Sequence, residues 1–264
     1  MLPPRHCRPD APSLARDLCA ALAHRGPDDF GWAAFAQDGS LIGTEREHAA
    51  LDGRAAALLL GQTRLSIIDL SSAGHQPMRS ADGRYTLIYN GEIYNYPELR
   101  AELEAEGARF AGGSDTEVLL QALMRWGDGC LPRLVGMFAF ALHDSARQRL
   151  FLARDCFGIK PLYWHNGSAG FAFASEMPAL LRFPGTPRRL SAQSVYDYLC
   201  FAKYDKGGDT FFQDIFQLPP AHCLSLDTRN GVVSGPERFW KPDLAERSSL
   251  SFPEATVRLR ELFL

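Results

Sequence analysis

The chain has 264 residues, of which 46% are hydrophobic, so it can bury one large core or two small ones. Its 28 basic and 31 acidic residues are spread along the sequence and give a formal charge of −3, which argues against a nucleic-acid partner. No stretch approaches the roughly 18 apolar residues of a membrane span, and the N-terminus lacks the apolar core of a signal peptide. The six cysteines lack the spacing of a disulfide scaffold. We therefore expect a cytoplasmic protein with reduced thiols and no membrane partner.

The chain begins with a proline-rich segment and a helix. Residues 1–12 contain four prolines and two arginines, which predicts an unpacked tail. Ser13 can cap a helix that Gly26 ends. The apolar residues of this helix recur every four positions, at Leu14, Leu18 and Leu22.

Three more helices are predicted from capping signals. Residues 97–106 start at a proline and precede a glycine. A capping box at Ser114 begins a helix that runs to Trp126. A second box at Ser251 begins a helix that continues to Leu264, and we expect residues 241–264 to be a linker and the first helix of another domain.

Seven short segments between these helices are predicted strands. They are 31–36, 58–64, 85–89, 137–143, 149–154, 170–174 and 222–226. Because most follow one another without an intervening helix, they favour antiparallel sheets with helices on the outer faces. The sequence therefore predicts an α+β fold.

The dipeptide Asn90-Gly91 allows two interpretations. Asn-Gly between two apolar runs is a strong signal for a hairpin turn. The alternative is an oxyanion hole, in which the Asn90 side-chain amide and the Gly91 backbone N–H stabilise a developing negative charge.

Arg64 and Asp115 also have a plain and a functional interpretation. Arg64 ends an apolar strand and could be a surface residue, and Asp115 stands where an acid suits the first turn of a helix. Together they resemble a receptor for a free amino acid, because an arginine fork binds a carboxylate and an aspartate binds an ammonium group. Glu92 could supply a second acceptor.

Three other motifs are explained by local structure. Residues 24–28, His-Arg-Gly-Pro-Asp, fit the end of a helix, and residues 154–163 fit a turn in which Gly158 and Pro161 set the bend. His75 is interpreted as a hydrogen-bonded loop residue. No second histidine or cysteine stands at a metal-ligand spacing, so we predict no metal site.

The order of these motifs resembles the glutaminase domain of glutamine-hydrolysing asparagine synthetases. Beyond the motifs described above, the resemblance rests on residues 64–69, 74–78, 89–95, 113–117, 136–140, 173–176 and 218–220, and it covers roughly residues 13–260. It implies an N-terminal-nucleophile hydrolase fold, with two stacked antiparallel sheets between helical layers. Residues 13–240 would form the glutamine amidotransferase domain.

The resemblance also implies a reaction and its residues. In this family an N-terminal cysteine attacks the side-chain amide of L-glutamine, and the released ammonia displaces AMP from adenylated aspartate in a synthetase domain. By matching motifs, Arg64 and Asp115 bind the carboxylate and ammonium of glutamine, Glu92 assists, and Asn90 with Gly91 stabilises the oxyanion. We expect no cofactor in this chain, ATP and Mg²⁺ in the synthetase domain, and that domain as a partner in cis or in trans.

The sequence departs from the family pattern at both ends. The family begins with a buried strand of the type Met-Cys-Gly-Ile, whereas this chain begins Met-Leu-Pro-Pro. Cys7 lacks a free α-amine, and Cys19 is better explained as an apolar packing residue in the first helix. No Ser-Gly-Gly-x-Asp-Ser loop for ATP precedes Leu264. We therefore expect the chain as given to lack glutaminase activity.

Three hypotheses account for these departures. The first is a full enzyme with a misplaced start and a premature end. The second is a glutamine-binding or regulatory remnant, and the third is a fragment without function. An intact pocket of Arg64 and Asp115 beside a missing nucleophile would favour the second.

Overall fold

Runs of consecutive antiparallel strands are separated by helices along the chain. The computed structural model describes residues 11–45, 55–65, 74–204, 207–244 and 249–264. The helices are α1 Ala11–Ala20, α2 Tyr96–Ala105, α3 Asp115–Trp126, α4 Met177–Leu180, α5 Ala192–Phe201 and α6 Phe252–Phe263, with 3-10 helices at Ala23–Arg25 and Gly127–Arg133. The strands are β1 Asp29–Phe35, β2 Leu41–Thr44, β3 Leu58–Arg64, β4 Met78–Arg79, β5 Tyr85–Ile93, β6 Gly136–Asp144, β7 Arg149–Arg154, β8 Tyr163–Gly167, β9 Gly170–Ala174, β10 Ile215–Gln217, β11 His222–Asp227 and β12 Val233–Arg238.

Within the described ranges the strands form one large and two small antiparallel sheets. The large sheet has six strands in the order β12-β11-β7-β6-β5-β4. The small sheets have three strands each, in the orders β2-β1-β3 and β10-β8-β9. Strands β3 and β9 are therefore edge strands of two different sheets.

Three apolar clusters join these sheets and helices into layers. One face of the six-stranded sheet packs on α2 and α3, through residues such as Leu103, Leu119 and Phe140. Its other face packs on both small sheets, and Leu60 and Phe171 contribute from β3 and β9. Helix α1 covers the outer face of β1 and β2. The predicted α+β fold with stacked antiparallel sheets between helical layers is confirmed.

Of the two interpretations of Asn90-Gly91, the hairpin turn is wrong. Strand β5 runs through this dipeptide and pairs with β6 as far as Ile93. A Cβ atom at Gly91 would lie 2.2 Å from the backbone oxygen of Met137 and 2.8 Å from Phe138 Cα. Glycine at this position thus permits the close approach of two strands, which is a different use from a turn.

The N-terminal helix also differs from the prediction. Helix α1 begins at Ala11, so the expected tail over residues 1–12 is wrong at its last two positions, and Ala11 is buried. The α-helix ends at Ala20, and Gly26 instead follows the 3-10 helix Ala23–Arg25. Residues 1–10, including Cys7, lie outside the described residues, as do residues 66–69 of the motif that begins at Arg64.

The other predicted helices and strands are confirmed, with small shifts at their ends. Strands β3, β7 and β9 have the predicted bounds, and the capping box at Ser114 is formed on its N-cap side, because the Ser114 side chain accepts from Glu117 N. The sequence did not predict β2, β4, β8, β10, β12, α4 and α5. No helix in the described ranges is both long and apolar enough to cross a membrane.

Candidate functional site

The five candidate site residues lie around one cavity. Arg64 comes from the end of β3, Asn90, Gly91 and Glu92 come from β5, and Asp115 is the first residue of α3. The cavity has a volume of about 370 Å³ and lies between the six-stranded sheet and the edges of β3 and β9. Residues far apart in the sequence therefore meet at one place, as the amino-acid receptor hypothesis requires.

The backbone N–H of Gly91 points into this cavity. Its cross-strand neighbour Phe138 uses its own N–H and C=O to bond Asp155, on the side of β6 that faces away from β5. Gly91 and Phe138 thus form a non-hydrogen-bonded pair, in which the backbone groups of both residues point outward. No described residue accepts a hydrogen bond from this N–H.

The donors on either side of Gly91 are already used. Strand β4 pairs with β5 only as far as Leu87, so the edge of β5 beyond that residue has no strand beside it in the described ranges. The N–H of Tyr89 donates to Gln76 Oε1 at 2.6 Å, and the N–H of Ile93 donates to Asp115 Oδ2 at 3.0 Å. The Gly91 N–H is therefore a single free donor between two satisfied ones.

The side chain of Asn90 carries a second donor at the same cavity. Ile88 packs into the core between the sheets, and side chains two residues apart share a face, so Asn90 and Glu92 face the cavity. An amide side chain and a free backbone N–H thus adjoin one another, the arrangement required for an oxyanion hole.

Asp115 is a buried carboxylate held from two sides. Its Oδ2 atom accepts from the Tyr89 hydroxyl at 2.7 Å and from Ile93 N. Burial and the neighbouring Asp115 carboxylate raise the pKa of Tyr89, so the phenol stays protonated and remains a donor. Both bonds fall on Oδ2, which leaves Oδ1 for a bound cation.

The backbone of Arg64 is hydrogen-bonded, and its side chain lies against Gly74. Its C=O accepts from Asp28 N at 3.1 Å. Its guanidinium lies so close to Gly74 that a Cβ there would be 2.1 Å from Nη2. The guanidinium thus lies beside Gly74 at the cavity, and an arginine side chain can present two parallel N–H donors to a carboxylate.

Two glutamines that the sequence analysis missed complete the site. Gln62 Nε2 donates to Tyr89 O at 3.1 Å, while Gln76 Oε1 accepts from Tyr89 N. Both residues line the cavity and take the place of a neighbouring strand along the β5 edge. The sequence signal that could have identified them is a glutamine near a motif residue. Gln62 is two residues before Arg64, and Gln76 follows His75.

His75 is a hydrogen-bonded loop residue, as predicted, with Nδ1 2.7 Å from Asp29 Oδ2. The predicted turn over residues 154–163 is also confirmed. Asp155 accepts from the N–H groups of Phe157, Ile159 and Lys160, and Gly158 has a φ of +67°. These contacts are local, and they place Lys160 at the cavity wall.

Cys19 is the cysteine that lines the cavity among the described residues. It is buried in α1, and its Sγ lies close to Gly61 on β3, as expected for a packing residue. Burial, with a smaller effect from Glu45, raises the pKa of the Cys19 thiol to about 11. At neutral pH this sulfur is an uncharged thiol and a poor nucleophile.

The comparison with protein families identifies the domain. Residues 5–240 match the model of the glutamine amidotransferase domain. The chain therefore belongs to the glutamine amidotransferase domain family, as a class II domain of the asparagine synthetase type.

Asparagine synthetases are among the similar curated proteins. The chain is 36% identical over 208 residues to asparagine synthetase (glutamine-hydrolyzing) 3 of Bacillus subtilis, which covers 78% of this chain and 33% of that protein. It is 44% identical over 178 residues to a putative asparagine synthetase of Mycobacterium tuberculosis, which covers 65% of this chain and 25% of that protein. The chain thus spans a third or less of the length of these relatives.

Solved structures share the fold. The glutamine phosphoribosylpyrophosphate amidotransferase of B. subtilis superposes with a TM-score of 0.63 at 20% identity, over 88% of this chain and 47% of that one. A second structure, described as the allosteric regulatory enzyme of purine biosynthesis, gives 0.63 at 22% identity, over 89% and 48%. Both structures share the fold of this chain over most of its length, so the predicted fold is confirmed.

Proposed function

We propose that this domain binds L-glutamine in the cavity between β3, β5 and α3 and serves hydrolysis of its side-chain amide. The observation that supports this most directly is the free Gly91 N–H beside the amide of Asn90, in the same cavity as Arg64 and Asp115. A donor pair for an oxyanion and a receptor for an amino acid are the two parts that a glutaminase requires.

The α-carboxylate of glutamine binds the Arg64 guanidinium. The α-ammonium binds Asp115 Oδ1, and Glu92 supplies a further acceptor on the same face of β5. Asp115 is 5% exposed, so the charge pairing occurs where water competes weakly. This recognition requires both charges of a free amino acid, and Arg64 and Asp115 line the same cavity.

The side-chain amide of glutamine then reaches Asn90 and Gly91. A cysteine thiol attacks the amide carbon, and the oxygen that becomes negatively charged accepts from the Asn90 amide and the Gly91 N–H. The α-amine of the same cysteine takes the thiol proton and passes it to the leaving nitrogen, which departs as ammonia. Water hydrolyses the thioester and releases glutamate.

The described residues do not supply this nucleophile. Cys19, with a pKa of about 11, is held as a neutral thiol. Strands β3 and β9 both present an edge to the cavity, so a strand that carries an N-terminal cysteine could lie between them and complete a continuous sheet. We propose that residues 1–264 bind glutamine without hydrolysing it, and that the added strand restores hydrolysis.

For the ammonia we propose the fate that it has in the asparagine synthetase type of this family. In an enzyme of the asparagine synthetase type, the ammonia would amidate aspartate in a synthetase domain, in cis or in trans, with ATP and Mg²⁺ acting in that domain. The proposal assigns neither ATP nor Mg²⁺ to the cavity of this chain.

The second candidate function is glutamine binding without catalysis, as in a sensor or regulatory domain. The observation that favours it is a complete set of Arg64, Glu92 and Asp115 around a cavity whose described thiol is protonated at neutral pH. Turnover in a form that carries the N-terminal cysteine separates the two candidates.

The test has two parts. Calorimetry on residues 1–264 should detect L-glutamine but not D-glutamine, and ammonia release should be absent. A form with a Met-Cys-Gly-Ile strand in front of α1 should release glutamate and ammonia in equal amounts. A folded extended form without ammonia release contradicts the glutaminase proposal. Turnover by residues 1–264 that disappears in a Cys7→Ala variant contradicts the inactive state.

A further inference from the structure

The segment His24–Asp28, which the proposed function leaves unused, holds the backbone of the carboxylate-binding arginine. A Cβ at Gly26 would lie 2.5 Å from Arg64 N and 2.5 Å from the carbonyl carbon of Thr63. The Asp28 N–H donates to Arg64 O at 3.1 Å. Since Gly26 has an extended backbone, the need for glycine comes from this close approach and not from its own conformation.

Glu176 reaches this segment from 150 residues further along the chain. Its Oε1 atom accepts from Arg25 Nη1 at 2.9 Å and lies 3.1 Å from His24 Nε2. Although burial alone would raise the pKa of Glu176, the hydrogen bonds from Arg25 and His24 lower it, so the side chain is a carboxylate at neutral pH.

The Glu176 side chain bonds this segment and does not cap its own helix. It occupies the N-cap position of α4, yet its side chain makes no capping bond. A further contact involves α1, because Arg182, two residues after α4, donates through Nη1 to Asp17 O at 3.3 Å. The contacts of Glu176 thus connect the start of α4, which lies beside β9, to the His24–Asp28 segment, which lies beside β3. The strands β3 and β9 do not pair with each other.

We propose that Glu176 is a positioning residue for Arg64. Through Arg25 it holds the segment that contains Gly26, and that segment fixes the backbone of Arg64 at the cavity wall. The ligand it serves is the α-carboxylate of glutamine, so this inference rests on the proposed function. A displacement of about 1 Å at such a group is enough to weaken recognition strongly.

The competing explanation is a surface ion pair that contributes only to stability. Pairs of this exposure usually contribute little, and their loss would affect all ligands alike. A positioning role has a different signature, because only ligands with an α-carboxylate depend on Arg64. The ratio of two affinities therefore separates the explanations.

The experiment measures binding of L-glutamine and of L-glutamine α-amide, in which a neutral carboxamide replaces the α-carboxylate. The proteins are residues 1–264 and their Glu176→Gln and Arg25→Gln variants. The control is Glu104→Gln, which removes a surface pair with the same 2.9 Å contact, to Arg100, far from Arg64. Circular dichroism melting shows that each protein is folded under the assay conditions.

In the unmodified chain L-glutamine should bind more tightly than its α-amide. We expect Glu176→Gln and Arg25→Gln each to reduce this preference by about tenfold, with little change in affinity for the α-amide, and Glu104→Gln to preserve it. Failure of the unmodified chain to bind L-glutamine would refute the proposed function itself. A preserved preference in both folded variants, or an equal loss for both ligands, overturns the positioning role of Glu176.

A double-mutant cycle provides a second readout. If Glu176 acts through Arg64, then Glu176→Gln should not weaken L-glutamine binding further once Arg64→Ala is present. Additive losses in affinity would show that the two residues act independently and would refute the inference.

Discussion

Replacing the buried imidazole of His143 should change how the stability of this domain depends on pH. His143 lies on β6, directly opposite Thr86. Its ring contacts the Phe35 ring edge to face, with 4.5 Å between the ring centroids. It is 1% exposed, and no described residue bonds its Nδ1 atom. Burial lowers the pKa of His143 to about 4, and the charge of Asp144 offsets this only in part.

The direction of this pH effect follows from proton binding by His143 in the folded and unfolded states. An unfolded histidine has a pKa of about 6.5, so between pH 6.5 and pH 4 the unfolded chain binds a proton that the folded domain does not. Acidification over this window therefore favours unfolding. The gap between the two pKa values corresponds to about 3 kcal/mol of unfolding free energy, present in full above pH 6.5 and lost by pH 4.

Urea unfolding at several pH values between 4 and 7.5 measures this effect. In His143→Leu the unfolding free energy should fall with acid by about 3 kcal/mol less than in the unmodified chain. Carboxylates that do not interact with His143 contribute the same acid dependence to both proteins and cancel in the difference. An identical pH dependence for both proteins would refute the argument from burial.

Thr86→Val is the matched control for this prediction. The Thr86 hydroxyl is fully buried and has no partner among the described residues, yet it does not titrate. Its removal should raise the unfolding free energy by about 1 kcal/mol at every pH. The curve for Thr86→Val should therefore run parallel to that of the unmodified chain.

The remaining predictions concern the glutamine site. Arg64→Ala and Asp115→Ala, in a form with an N-terminal cysteine, should each weaken glutamine use by about 2 to 4 kcal/mol in kcat/KM, because one charge of the substrate loses its partner; losses well below this would exclude direct contact. Asn90→Ala should lower kcat about a hundredfold with little change in KM, since the oxyanion forms only after attack; equal changes in kcat and KM would contradict that role. Tyr89→Phe removes the 2.7 Å bond to Asp115 and should lower the unfolding free energy by about 2 kcal/mol. That loss should largely disappear when Asp115→Asn is already present, and a full loss in that background would place its cause elsewhere.

Local signals in the sequence determined a large part of the fold. The apolar alternation of strands β3, β7 and β9 gave their bounds, and the capping box at Ser114 gave the start of α3. Such signals act within a few residues, so they can be recognised without knowing how the rest of the chain is arranged. Strands β10 and β12 were missed, because the first is short and the second is a largely exposed edge that contains glycine and proline.

The order of motifs in the sequence also determined the family and the candidate residues. Arg64, Asn90, Gly91, Glu92 and Asp115 were singled out before their positions were known, and they line one cavity. Singly, these residues have plain structural interpretations, so the signal lies in the order of the motifs that contain them, which is visible without a structure.

Only the tertiary structure decided how these residues are used. Asn-Gly is a turn signal by its local preferences, yet pairing with β6 draws both residues into a strand and leaves the Gly91 N–H at an open edge. The partners of Tyr89 and the contact of Glu176 with Arg25 join residues that are 13 to 151 positions apart. Hydrogen-bond partners of this kind depend on which strands and helices come together, and that depends on burial of the whole apolar surface, which no local pattern encodes.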